Sequence, residues 1–258
     1  MKRREFIRAG AAGLLIPAIG PTLVRAATPC PPAQVTASGG TTSTTACPSS
    51  APSGGGYSTN FDGTESPLSE GGRWVNGKTV GLDWQDVRTA NGNAFGSGVS
   101  YNYDDCIAHL TNHSIGADQQ VSGTIRCASG YSAGTSHEVG LYLRMNISAH
   151  SARGYEILLP APNGGVFQVM VWEGPAGNFH EITGNGGSGT LPRPLRDGDV
   201  VTAKIVGNKI QVYLNGTLFN TTIDSTYSSG NPGMGFFIRP GGDIDKFCLT
   251  SWAAQNAT

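Results

Sequence analysis

Hydrophobic and polar positions in this chain mostly alternate, rather than recur every three or four residues. Val201, Ala203 and Ile205 alternate with Thr202, Lys204 and Val206, the period of a half-buried strand. Gly207-Asn208 interrupts the run, and Ile210, Val212 and Leu214 resume it against Gln211, Tyr213 and Asn215. Asn215-Gly216 then predicts a tight hairpin, because both central residues of such a turn need positive φ. Two hairpins in series are therefore expected between Gly198 and Phe237. Similar short runs, cut by Gly, Asn and Pro, continue through the chain and predict an all-β sandwich beginning near Tyr57.

The same alternation sorts side chains by face. Leu141, Leu143 and Met145 fall on a core side, opposite Gly140, Tyr142 and Arg144. Phe167, Val169 and Val171 oppose Gln168, Met170 and Trp172. Met234, Phe236 and Ile238 oppose Phe237 and Arg239. If these strands share a sheet, Tyr142, Arg144, Glu156, Gln168, Trp172, Phe237 and Arg239 converge on its concave, non-core side. Aromatic rings beside Arg, Gln and Glu suit sugars, offering stacking on apolar C–H faces and hydrogen bonds to hydroxyls. The structural alternative is an ion-pair network of Arg144, Glu156 and Arg239 on a solvated sheet. Trp74 and Trp84 carry the same two readings, as cover for the core edge or as sugar platforms.

Residues 1–26 read as a targeting segment outside the fold. Arg3-Arg4 opens a twin-arginine pattern, a modestly apolar run follows, and Val24-Arg25-Ala26 predicts cleavage after Ala26. Periplasmic or extracellular delivery is expected, with no membrane insertion after cleavage. Residues 27–56, rich in Pro, Ser, Thr, Ala and Gly, read as a linker that cannot bury enough apolar surface to order itself. Residues 57–258 form the expected domain. A net charge of −1 gives no electrostatic footprint for nucleic acid.

Five cysteines in an exported chain leave one over. Cys30 with Cys47 and Cys106 with Cys127 are the preferred pairs, the second requiring neighbouring antiparallel strands; Cys127 with Cys248 is the rival. No organic cofactor is implied. Asp62, Asp243 and Asp245 could supply hard oxygen ligands to Ca²⁺, although such acids more often cap turns.

The Gly198-Asp199, Val206-Gly207, Val212-Tyr213-Leu214-Asn215-Gly216, Asp224-Ser225-Thr226 and Pro232-Gly233-Met234-Gly235 segments together resemble the C-terminal half of a laminin-G-like, concanavalin A-like jelly roll. Asp118-Gln119-Gln120 and Phe61-Asp62-Gly63 extend the resemblance toward residue 57. It implies two antiparallel sheets and poly- or oligosaccharide as the expected partner. The superfamily holds binders and enzymes alike, so fold does not choose between them. The Glu-x-Asp-x-Glu strand of its glycosidases, which sets alternate carboxylates on one face, is absent. Gly130-Tyr131-Ser132-Ala133-Gly134 matches a nucleophile-elbow spacing but leads into a strand, where the elbow needs a helix. No catalytic residue is assigned. The reading is a non-catalytic, lectin-like glycan-binding protein; a glycan-active enzyme and an adhesive envelope domain remain the alternatives.

Overall fold

The computed structural model describes residues 55–97, 105–129, 131, 137–162, 165–185, 189–238 and 244–258. The targeting segment, most of the linker, Cys30, Cys47, Ser132, Arg239 and Asp243 lie outside them. Among the described residues, strands build two stacked antiparallel sheets. The eight-stranded sheet runs β13 (Thr217–Ile223), β12 (Lys209–Leu214), β11 (Val200–Val206), β6 (Gln119–Cys127), β15 (Phe247–Asn256), β4 (Asn93–Gly96) and β3 (Val87–Ala90), with β1 (Tyr57–Thr59) also on β15. The seven-stranded sheet runs β10 (Phe179–Glu181), β9 (Gln168–Gly174), β8 (Ser151–Pro160), β7 (Glu138–Ser148), β14 (Asn231–Phe237), β5 (Asp105–Leu110) and β2 (Trp74–Asn76).

The two expected hairpins form as β11–β12 and β12–β13, and Asn215 (φ 49°) and Gly216 (φ 79°) make the positive-φ turn between the latter pair. Val201, Ala203, Ile205, Ile210 and Val212 are fully buried between the sheets. They meet Val139, Leu141, Leu143, Ile157, Val169, Met234 and Phe236 from the opposite layer. Trp74 joins this core and meets Trp252 edge-on at 4.8 Å.

The turn motifs act as joints. Asp199 accepts both guanidinium nitrogens of Arg193 at 2.7 Å, the Arg196 amide at 2.8 Å and the Asn215 side-chain amide at 2.9 Å. Asn215 in turn accepts the Val200 amide at 2.8 Å. The "GD" before one strand is thus tied directly to the "NG" after the next.

The expected Cys106–Cys127 pair does not form. Cys106 lies on β5, between β14 and β2, whereas Cys127 ends β6 in the other sheet, so these consecutive strands are not neighbours. No disulfide joins Cys106, Cys127 and Cys248 among the described residues. Burial pushes the Cys248 thiol up to about 12, and it also raises that of Cys127.

Candidate functional site

Strand alternation in the seven-stranded sheet sends one set of side chains into the sandwich and the other onto the outer face. Pairing then fixes which outer residues stand side by side. Asp105, Phe237, Glu138 and Pro160 form one row across β5, β14, β7 and β8. A second row is Ile107, Gly235, Gly140, Leu158 and Gln168. The third is His109, Gly233, Tyr142, Glu156, Met170 and Glu181, and Trp172 pairs with Phe179 in the next.

Tyr142, Glu156, Gln168, Trp172 and Phe237 therefore lie on the expected face. Their expected exposure is wrong, however: each is under one-tenth exposed, and Trp172 is only 1% exposed. For Tyr142 and Trp172 the cause is an excursion from the sheet edge. Residues 77–85 leave β2, fold over the outer face, and return where Gln85 bridges Cys106. Leu82 and Trp84 form a second apolar cluster there with Ile107, Tyr142, Met145, Ala152 and Trp172. Trp84 meets Trp172 edge-on at 4.5 Å, and Phe179 closes the other side at 4.8 Å. Trp172 Nε1 donates to Glu156 Oε2 at 2.7 Å. The tip of the excursion is pinned to the β7–β8 turn by His150 N–H donating to the Gly81 carbonyl at 3.1 Å and by His150 Nδ1 against Asp83 at 2.9 Å.

Arg144 is a second correction. It has φ 49° and opens a bulge in which Arg144 and Met145 together oppose Gly154. The extra residue flips the alternation, so Met145, expected in the main core, packs with Trp172 on the outer face. The bulge needs glycines around it. A Cβ on Gly154 would sit 2.6 Å from Met145 Cα, and one on Gly230 would sit 2.3 Å from the Arg144 carbonyl carbon. The buried Arg144 guanidinium donates to the carbonyls of Ala117 at 2.8 Å and Tyr227 at 2.7 Å and reaches Asp118 at 3.2 Å. Its own amide donates to Gln119 Oε1 at 2.8 Å. It ties two loops together through the Ala117 and Tyr227 carbonyls and Asp118.

Sequence reasoning passed over Asp105, His109, Glu138 and Glu181. The signal was present for β5, because once Cys106, Ala108 and Leu110 face inward, Asp105, Ile107 and His109 must face outward. Glu181 accepts Gln168 Nε2 at 2.6 Å and Thr183 Oγ1 at 2.7 Å. Burial lowers His109 to about 4, so its ring is neutral at physiological pH. The outer face thus carries the carboxylates of Asp105, Glu138, Glu156 and Glu181 with the Gln168 amide. The roof of Leu82 and Trp84 packs on the Trp172 end.

Asp62 and Asp245 are exposed, and Asp243 is outside the described residues. Among the described residues, no group of three or more His, Cys, Asp or Glu side chains is placed to hold a metal ion. Nor is any helix there long and apolar enough to cross a membrane.

No protein family matches the sequence. No curated protein matches it either. Solved structures do. The potassium-bound carbohydrate recognition domain of Emp46p aligns over 77% of this chain and 95% of its own, with 13% identity and a TM-score of 0.51. The exoplasmic/lumenal domain of VIP36, in a Ca²⁺/Man-bound form, aligns over 74% of this chain and 88% of its own, also with 13% identity and a TM-score of 0.51. With the two antiparallel sheets, these likenesses show the fold: the described domain is a concanavalin A-like β-sandwich.

Proposed function

We propose that this chain is a secreted glycan-binding protein that holds an oligo- or polysaccharide on the outer face of the seven-stranded sheet. One observation carries the reading: Asp105, Glu138 and Gln168 share that face with Phe237, toward the end away from the Trp84 roof, each 6–9% exposed so that only an edge of each side chain meets a ligand. Carboxylates and amides accept and donate to sugar hydroxyls, and an aromatic ring offers an apolar surface between them. The structural neighbours described as a carbohydrate recognition domain and as Man-bound support it at the level of fold. In this reading Trp172 is a pillar beneath the site, not a stacking platform. Twin-arginine export, removal of residues 1–26 and a linker over residues 27–56 complete the proposal.

A glycan array with the mature protein tests it. Glycans that bind should lose about ten- to a hundredfold in affinity in the Glu138→Gln variant, the scale of hydrogen bonds to a charged group. A blank array, or binding indifferent to Glu138 and Gln168, removes this face as the site.

A second reading, a glycan-active enzyme, draws on the same row. Asp105 and Glu138 stand two strand spacings apart across Phe237, about 10 Å between Cα atoms. Inverting glycoside hydrolysis uses an acid and a base whose carboxyl groups are about 6.5–9.5 Å apart. Release of reducing sugar from a bound glycan, lost in Asp105→Asn and Glu138→Gln, would favour that reading over binding alone.

A further inference from the structure

Strand β5 ends at Leu110, and the chain turns at Asn112, whose φ is 52°. Three residues later Ile115 re-enters the main core, 7% exposed. His113 lies between them, half-buried, and its ring is bonded on both sides. The Ile115 amide donates to Nδ1 at 3.1 Å, and Nε2 lies 3.1 Å from Asn231 Oδ1. An acceptor at Nδ1 leaves the single ring proton on Nε2, where it is donated to Asn231. Only the neutral ring makes both bonds.

Those bonds fasten two segments together. Asn231 opens β14 directly after Gly230, which packs against the Arg144 backbone. Gln119 Nε2 donates to the Gly116 and Gly230 carbonyls, each at 2.9 Å, and Arg144 spans the Ala117 and Tyr227 carbonyls. His113, Gln119 and Arg144 thus hold loop 111–118 against residues 227–231. Arg144 keeps its charge in acid, and Gln119 has none to change. Of the three, the imidazole alone changes charge in mild acid.

A proton on Nδ1 points its N–H at the Ile115 N–H, donor against donor, and finds no countercharge. Among the described residues no carboxylate pairs with His113. Asp118, the acid of the same loop, is engaged by Arg144 at 3.2 Å and by the Gly207 amide at 2.8 Å. On β5 the electrostatic neighbour is His109, which burial lowers to about 4, an effect that His113 reinforces, so it stays neutral in mild acid. The other charges around the joint are guanidiniums. One is Arg144 on β7, and the other is Arg73, whose carbonyl takes the Thr111 amide and whose side chain lies over the Tyr57 ring.

We propose that His113 is an acid-sensitive latch: protonation of its ring releases the Ile115 amide and frees loop 111–118 from residues 227–231 while the two sheets stay packed. Amide exchange followed by NMR on the purified protein, at pH 7.5, 6.5 and 5.5 and corrected for the intrinsic pH dependence of exchange, tests it. Protection of Ile115 should fall about tenfold from pH 7.5 to pH 5.5, the scale of one lost hydrogen bond beside an unpaired charge. Ala203 and Ile205 in β11 should keep theirs. His113→Asn retains an oxygen that accepts the amide two residues on, as in an Asx turn, but does not titrate. That variant should hold its protection at all three pH values, whereas His113→Ala should lose it at all three.

Wild-type protection at Ile115 that is flat across the range overturns the proposal, and so does full protection in His113→Ala. An equal fall in β11 overturns it too, because the whole domain then unfolds. The same acid fall in His113→Asn places the titrating group elsewhere. Nitrogen shifts of the His113 ring at pH 7.5 give a separate check: a proton on Nδ1 instead of Nε2 sinks the latch, since the Ile115 bond then never forms.

Discussion

Trp84 and Trp172 meet edge-on at 4.5 Å across the outer face of the seven-stranded sheet. The contact joins a strand in the middle of the chain to an excursion near its start, and it turns half of a potential binding face into a second core. Trp172 also supplies its indole N–H to Glu156, so removing it loses both packing and the partner of a buried carboxylate oxygen.

Trp172→Ala should therefore cost about 3–5 kcal/mol, as for a large aromatic taken from a core. Trp84→Ala should cost a similar amount. The double variant should lose less than the sum, by about 0.5–1.5 kcal/mol for the aromatic pair itself. Urea unfolding of the four proteins measures this, and near-UV circular dichroism should lose the band arising from the pair. A loss near zero for either single variant would mean that the excursion does not cover the face.

Much of the fold was legible because the hairpins carry their own signals. Asn215-Gly216 needs positive φ, and Asp199 is bonded to that same Asn215, so two separated motif residues report one joint. The faces of β9 and β14, and of β7 as far as Leu143, were also readable from alternation. Two things were not. Alternation assigns a side chain to a face but says nothing about what another segment lays over it, so the burial of Tyr142 and Trp172 under residues 77–85 had no local signal. A bulge, moreover, changes the phase of every residue after it. Arg144 is an ordinary strand residue by sequence, and only its setting between Gly154 and Gly230 allows the extra residue that turns Met145 outward.

Arg144 gives the second prediction. Its side chain is 3% exposed and bonds to the Ala117 and Tyr227 carbonyls, and its third partner, Asp118, is 47% exposed. Arg144→Ala leaves those acceptors without the charged donor and should cost on the order of 2–3 kcal/mol. Arg144→Lys should recover little, because one ammonium cannot reproduce the planar fork that spans two loops. Hydrogen exchange should rise in the segments around residues 116–118 and 224–230 in both variants. Protection there equal to that of the wild type would show that the loops hold without the arginine.

Asp199 gives the third, which concerns pH. The Arg193 guanidinium, bonded through both terminal nitrogens, is the main cause that holds the Asp199 carboxyl at about 2; Asn215 and the Arg196 amide act in the same direction against the effect of burial. In the unfolded chain the group returns to the usual aspartate value near 4. The folded state thus binds this proton less readily than the unfolded state does. Its contribution to stability is fully present above about pH 4 and is lost as pH falls from there toward 2. Asp199→Asn keeps the shape but removes the ionisation. The variant should be less stable at pH 6 and should show a shallower fall in stability between pH 4 and pH 2, measured by urea titration at each pH. A fall as steep as that of the wild type over this interval would place the acid sensitivity on other carboxylates and leave the Arg193–Asp199 joint without its role.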